Sequence, residues 1–321
     1  MNPTRWVQHV ATLSVVTGAL SGCAWIPATP QVDQLSQPLA WSGKRQLALS
    51  NVPVILQEPD FCGPAALSMA LHQAGLAISQ DDMAQKVFLP GRAGSLQAEM
   101  LAGPRHVGFV SYELDGQLST LLKTAEQGHS PIVLLNLGLS WAPQWHYALV
   151  IGYDLDRGDI ILRSGTYARQ DMPLRTFEHT WARSQHWSMV LASPGSLPSA
   201  VDAIHAEQAA LGFERVNSPQ SSIPVWASLA QRWPDRLLAH LALGNAYMNS
   251  DQWPEAARTF EKIGDQFDSA IAWNNLAQVH LHLGQRDKAL AAAQRGLQRA
   301  RAHEPRWIEA LTRTLQTIPT D

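Results

Sequence analysis

The sequence predicts a mixed α+β domain followed by an all-helical domain. Helical patterns occupy most of residues 64–126, and strongly apolar strand patterns follow at 131–137, 145–153 and 159–164. After a proline-containing break at 193–199, every periodic segment is helical. Helices followed by strands with short turns are typical of an α+β layout whose sheet is antiparallel.

The composition is that of a globular protein with room for two modest cores. The chain has 321 residues, of which 45% are apolar and 16% charged, and its formal net charge is −3. This near-neutral balance argues against nucleic acid as a partner. The sequence has neither a phosphate-binding loop of the ATPase type nor Cys/His spacings typical of zinc sites, so we expect no ATP, metal or other cofactor.

The first 45 residues predict export and attachment to a membrane. A short apolar run at 10–20 cannot span a bilayer, and it ends in Leu-Ser-Gly-Cys23. This ending resembles the processing site of bacterial lipoproteins, which implies a signal peptide at 1–22 and a lipid on Cys23. An ordinary signal peptide or an uncleaved anchor is the alternative. The proline-containing segment 23–45 is predicted to be an extended tether. No Asp follows Cys23, which favours the outer membrane, facing the periplasm.

The second of the two cysteines stands at the predicted start of a helix. Cys62 precedes Pro64, which suits a first helical turn, and Gly75 supplies a stop. Backbone N–H groups at a helix N-terminus favour the thiolate, which is the nucleophilic form of cysteine. If Cys23 carries lipid, Cys62 has no disulfide partner. Two interpretations stay open, a catalytic thiol and a small buried apolar side chain.

Residues 50–192 resemble the bacteriocin-leader-processing (double-glycine) cysteine peptidases, a branch of the papain-like fold. The resemblance rests on the run Gln-Glu-x-x-x-Cys-Gly-Pro-Ala-Ala-Leu at 57–67, a helix, glycine and Pro-Ile-Val strand at 118–137, and the run His-Tyr-Ala-Leu-Val-Ile-Gly-Tyr-Asp at 146–154. It implies a papain-like cysteine peptidase domain over residues 46–195 that hydrolyses a peptide bond in an exported peptide or protein. The transporter segments usual for that family are not in this sequence, so a double-glycine leader is not assumed as the substrate.

The resemblance also implies a role for each candidate catalytic residue. Cys62 would be the nucleophile, His146 the general base and then the general acid, and Gln57 the donor to the oxyanion. His146 and the helix terminus together predict a pKa of the Cys62 thiol below its usual value. The predicted hairpin of strands 146–153 and 159–164 places His146 next to Arg163, Ser164 or Gly165. The resemblance singles out Ser164 as the residue that would orient the imidazole.

Ser164 is a departure from the family pattern, which usually has Asp followed by Pro at this place. A Ser hydroxyl can form a hydrogen bond with the imidazole, but it cannot stabilise an imidazolium by charge. Two functions therefore stay open. One is a lipid-anchored cysteine peptidase, favoured by Cys62, His146 and Gln57. The other is a peptidase-like binding or scaffold lipoprotein with weak or no turnover, favoured by Ser164.

Residues 199–321 contain an internal repeat with an offset of 33 residues. Leu243-Gly244, Tyr247 and Phe260 recur as Leu276-Ala277, His280 and Ala293. These positions resemble the tetratricopeptide repeat, which implies a concave groove for a peptide or a partner protein. The alternative is a helical appendage that covers the peptidase domain.

Overall fold

The structure is a computed structural model, which describes residues 28–37 and 41–319. The predicted signal peptide 1–22 and the candidate lipid site Cys23 lie outside the described residues. Within the described residues, no helix is both long enough and apolar enough to cross a membrane.

An antiparallel sheet is the centre of the first part of the chain, as predicted. Its order is β2-β7-β3-β4-β5-β6, and β1 pairs with the end of β4. The described strands are β1 Gln46–Ala48, β2 Val110–Glu113, β3 Ile132–Asn136, β4 Trp145–Asp154, β5 Asp159–Ser164, β6 Tyr167–Pro173 and β7 Ser188–Ala192. The strand order places β3 and β4 in the middle of the sheet, and both are buried along most of their length.

Helices cover both faces of the sheet and make up the whole C-terminal region. The described helices are α1 Pro30–Leu35, α2 Cys62–Gln73, α3 Gln80–Val87, α4 Gln97–Ala102, α5 Leu118–Glu126, α6 Leu174–Ala182, α7 Ala203–Glu214, α8 Pro219–Arg232, α9 Leu237–Met248, α10 Trp253–Phe267, α11 Ala270–His282, α12 Arg286–His303 and α13 Ile308–Thr317. Side chains of α2, α3 and α4 form one core with the sheet. Those of α5, α6, α7 and α8 form a second core on its other face. The predicted helical character of the last third is confirmed.

Helix α1 differs from the extended tether predicted for residues 23–45. The backbone N–H groups of Gln31 and Val32 donate to the two carboxylate oxygens of Glu178, at 3.0 and 2.8 Å. Glu178 is only 2% exposed, and Val32 is buried against the sheet core. A carboxylate supplied by α6 thus satisfies the first N–H groups of α1, so this segment folds onto the domain.

Small residues on α9 and α10 allow the C-terminal helices to pack closely. A Cβ atom on Gly244 would lie 2.6 Å from the ring of Phe260, and one on Gly264 would lie 2.8 Å from the ring of Trp273. Both glycines therefore permit a bulky side chain of a neighbouring helix to sit directly on the backbone. The assignment of these helices to the tetratricopeptide type stays a prediction.

Candidate active site

A cleft of about 1010 Å³ opens where α2 begins beside the start of β4. Three of the candidate catalytic residues, Gln57, Cys62 and His146, line it. Ser164 lies behind His146 and is 9% exposed. The fold therefore gathers the four residues at one end of the sheet, although they are far apart in the sequence.

Cys62 is the first residue of α2, and no side chain caps that helix. Burial raises the pKa of the Cys62 thiol, and the backbone N–H groups of Tyr147, Gly63 and Cys62 itself oppose this effect without overcoming it. The nearby carboxylate of Asp60 adds to the rise. The expectation of a lowered thiol pKa is therefore wrong for this structure, because desolvation outweighs the helix terminus.

His146 is held at the start of β4 by a hydrogen bond to β5. Its Nε2 atom lies 2.9 Å from Oγ of Ser164. The β4–β5 pairing contains a register shift between Val150 and Gly152, and its last pair at this end is Leu149 with Arg163. The contact between His146 and Ser164 lies just beyond that pair. Since Ser164 occupies Nε2, the atom left for proton transfer is Nδ1. Burial lowers the pKa of the imidazole, which favours its neutral form.

Cys62 and His146 share the cleft, but among the described contacts no hydrogen bond joins them. The backbone N–H of Tyr147, the residue after His146, is the largest of the effects that lower the pKa of the Cys62 thiol. Catalytic hydrogen bonds are commonly long in enzymes without substrate and shorten when it binds. Burial raises the pKa of the Cys62 thiol and lowers the pKa of the His146 imidazole, so both groups favour their neutral forms in the resting site.

Gln57 is positioned by the turn that follows Ser164. Its backbone N–H donates to the carbonyl of Gly165 at 3.4 Å. The guanidinium of Arg163 donates to the carbonyl of Val52 at 2.8 Å and also to that of Ala168. Arg163 thus ties the segment leading to Gln57 to β5 and β6. Sequence reasoning missed this role, because the contact joins residues that are far apart in the sequence.

The opposite wall of the cleft is formed by the segment before α4. A Cβ atom on Gly63 would lie 2.9 Å from both Oγ of Ser95 and Sδ of Met100. The hydroxyl of Tyr147 donates to the carbonyl of Ser95 at 3.2 Å. Gly63 therefore allows this wall to approach the start of α2, and Tyr147 fixes it to β4. Neither contact was predicted from the sequence.

The candidate site contains no arrangement typical of a metal centre. In residues 28–37 and 41–319, no group of three or more His, Cys, Asp or Glu side chains could hold a metal ion. The Gln57 amide and the His146 imidazole share the cleft with Cys62 and suit acyl transfer through a thiol, and Asp60, Arg92 and Arg183 add charged side chains to its lining.

Residues 49–189 match the model of the Peptidase_C39 like family. This part of the chain is therefore similar to C39-like peptidases. Among solved structures, a chain named as a C39-like peptidase from Bacillus anthracis is 16% identical, with a TM-score of 0.40 over 47% of this chain and 98% of that one. The peptidase domain of Streptococcus ComA, a bifunctional ABC transporter of a quorum-sensing pathway, is 18% identical, with a TM-score of 0.37 over 44% of this chain and 98% of that one. No curated protein matches the sequence.

Proposed function

We propose that this protein is a cysteine peptidase that hydrolyses a peptide bond in an exported peptide or protein. One observation carries the proposal: Cys62, at an uncapped helix N-terminus, shares a cleft with His146, whose second ring nitrogen is engaged by Ser164. A thiol, an imidazole and a group that orients the imidazole are the components of nucleophilic amide hydrolysis.

The reaction begins with transfer of the thiol proton to Nδ1 of His146. The Cys62 sulfur attacks the carbonyl carbon, and the oxyanion accepts hydrogen bonds from the Gln57 amide and from the backbone N–H of Cys62. The imidazolium then gives its proton to the leaving amine, which departs as the C–N bond breaks. Water, deprotonated by the neutral imidazole, attacks the thioester and releases the acid product and the Cys62 thiol.

The neutral resting pair makes the proposed activity depend on pH in one direction. The thiolate fraction of Cys62 rises with pH. Because burial raises the pKa of Cys62, this rise occurs at higher pH than for an ordinary thiol. His146 is a competent base at all but acidic pH, because burial lowers its pKa. The raised thiol pKa places the increase in thiolate on the alkaline side, where the imidazole is already neutral, so the activity should increase from neutral towards alkaline pH.

The rest of the chain serves attachment and recognition in this proposal. Lipid on Cys23 would anchor the protein in the bacterial cell envelope, with the outer membrane and a periplasmic orientation as the favoured place. The helices of 199–321 would bind the substrate or a protein partner. Neither role involves nucleic acid or ATP.

A second function, binding without efficient turnover, is favoured by one specific observation. Ser164 cannot supply the negative charge that stabilises an imidazolium, and no hydrogen bond joins Cys62 to His146 in the described structure. A protein of this kind would hold a peptide in the cleft and leave it intact.

Labelling with a peptide electrophile separates the two functions. In a Cys23→Ser background, Cys62 is the one remaining thiol. A peptidase is expected to react with a peptidyl electrophile much faster than with iodoacetamide, and His146→Ala should remove that advantage while iodoacetamide labelling persists. Equal rates with the two reagents, unchanged in His146→Ala, would support the binding protein. Cys62→Ala is the control for labelling elsewhere.

A further inference from the structure

The loop between β3 and β4 exposes an unusual set of large apolar side chains. This apolar hairpin, residues 137–145, has the sequence Leu-Gly-Leu-Ser-Trp-Ala-Pro-Gln-Trp and contains no charged residue. Its four large side chains are all exposed, and Trp141 at its tip is 83% exposed. Exposed apolar groups gathered in one place mark a surface that binds something.

Hydrogen bonds within the apolar hairpin hold it in one conformation. Leu139 and Ala142 exchange both of their backbone hydrogen bonds at 3.1 Å, and the N–H of Leu137 donates to the carbonyl of Gln144 at 2.9 Å. The amide oxygen of Asn136 accepts from two further N–H groups of the hairpin. The side chains are thus presented on a backbone that meets much of its own hydrogen-bonding need.

Arg183 fixes the base of the apolar hairpin to the domain. Its guanidinium donates to the carbonyls of Asn136 and Gly138, at 2.9 and 2.6 Å. The same base borders the candidate active site, because Trp145 lines the cleft. A surface that engaged the hairpin would therefore lie beside the mouth of the cleft.

The shape and chemistry of the apolar hairpin select its partner. A peptide binds in a concave site, whereas a side chain that is 83% exposed projects from the surface. A stable interface between two copies of the chain buries roughly 800 Å² of surface on each partner, more than a nine-residue tip provides. A bilayer suits a projecting, uncharged tip of Trp and Leu, since Trp is enriched at membrane interfaces and internally paired backbone lowers the cost of leaving water.

We propose that the apolar hairpin inserts into the boundary between headgroups and acyl chains of a phospholipid bilayer. Insertion turns the mouth of the cleft towards the membrane surface. The substrate assignment rests on the peptidase proposed above: its substrate class is then a polypeptide segment that lies next to a membrane. The insertion itself requires neither catalysis nor the lipid on Cys23.

A fluorescent probe on the tip tests the insertion directly. The full chain with Cys23→Ser and Cys62→Ala accepts a polarity-sensitive dye at Ser140→Cys as its one thiol. On addition of vesicles of phosphatidylethanolamine and phosphatidylglycerol, the emission should rise and shift to the blue, and spin-labelled lipids should quench it. A dye at Ser196→Cys, after the end of β7 and at the other end of the sheet, should not respond.

Substitution of the tip supplies the second arm of the test. Leu139→Ser combined with Trp141→Ser should weaken the response of the probe to vesicles by at least about tenfold, since two large apolar groups no longer leave water. Ile204→Ser, which alters an exposed apolar residue on α7, should have no effect.

The vesicle experiments would overturn the proposal with any of three results: an unresponsive probe, a double variant that responds like its parent, or an equal response at Ser196→Cys. Cleavage of a short soluble peptide without vesicles gives a further control. If the tip substitutions abolish that cleavage, the apolar hairpin binds peptide and the membrane assignment is wrong. Failure of Cys62 to react with peptidyl electrophiles would count against the peptidase alone, because the vesicle response does not involve Cys62.

Discussion

Substitution of Ser164 gives the sharpest test of how His146 is held. In Ser164→Ala the imidazole loses one neutral hydrogen bond, in which Nε2 of His146 lies 2.9 Å from Oγ of Ser164. A bond of this kind contributes about 1 kcal/mol, so kcat should fall about fivefold. Cys62→Ala or His146→Ala should instead remove nearly all turnover, because the nucleophile and its base act as a unit.

Ser164→Asp should change the form of the pH dependence as well as the rate. A carboxylate about 4 Å from the imidazolium contributes up to about 4 kcal/mol at an effective dielectric constant near 20. Burial of the new charge at a position that is 9% exposed removes part of this gain. A net effect of roughly 1–3 kcal/mol corresponds to an upward shift of about 1–2 units in the pKa of His146. The resting pair would then move towards thiolate and imidazolium.

The assay is the rate of Cys62 alkylation by a small reagent across a pH series, in a Cys23→Ser background. The parent should react slowly at pH 6 and progressively faster towards alkaline pH, because the thiol pKa is raised by burial. The profile of Ser164→Asp should move to lower pH, and that of Ser164→Ala should keep the parental shape. An unmoved profile in Ser164→Asp would refute the assignment of Ser164 as the group that orients His146. A loss of turnover in Ser164→Ala as large as that in Cys62→Ala would refute the weak, neutral hydrogen bond assigned to Ser164.

Four further outcomes follow from the other contacts. Gln57→Ala should lower kcat about a hundredfold with little change in iodoacetamide labelling, and equal losses in both would contradict an oxyanion role. Arg163→Ala should lower kcat by roughly three- to tenfold, but not in a Gln57→Ala background; additive effects in a double-mutant cycle would show that it does not act through Gln57. Glu178→Ala should cost about 1–3 kcal/mol in the free energy of unfolding, more than Glu178→Gln, as urea titration would report. Cys23→Ala should abolish metabolic labelling with a fatty-acid analogue, and labelling that survives would exclude lipid at this position.

The sequence predicts most of the central elements because their signals are local. Helix α2 has a proline in its first turn and a glycine after its end, and strands β4 and β5 are strongly apolar runs joined by a short turn. Strand β6 was missed because its residues are mostly polar and it lies at the edge of the sheet. Helix α1 was missed because its stability depends on Glu178, which is distant in the sequence.

The candidate site divides in the same way. The residue types and their order predict Gln57, Cys62 and His146, and the structure places them in one cleft. The direction of the thiol pKa could not be predicted, because it depends on how much protein surrounds the sulfur. The support that Arg163 gives to the segment before Gln57 is a contact between distant parts of the chain, and no local pattern encodes it.

The neutral state of Cys62 has a consequence for the lifetime of the protein. Oxidants attack the thiolate, and susceptibility to sulfenic acid formation follows the fraction of that form. Because burial raises the thiol pKa, the protonated form of Cys62 is favoured at neutral pH. In the exported peptidase proposed above, a thiol that stays protonated at rest would resist oxidative loss outside the reducing cytoplasm. The slower chemistry of the protonated thiol would then be offset by a longer lifetime of the active protein.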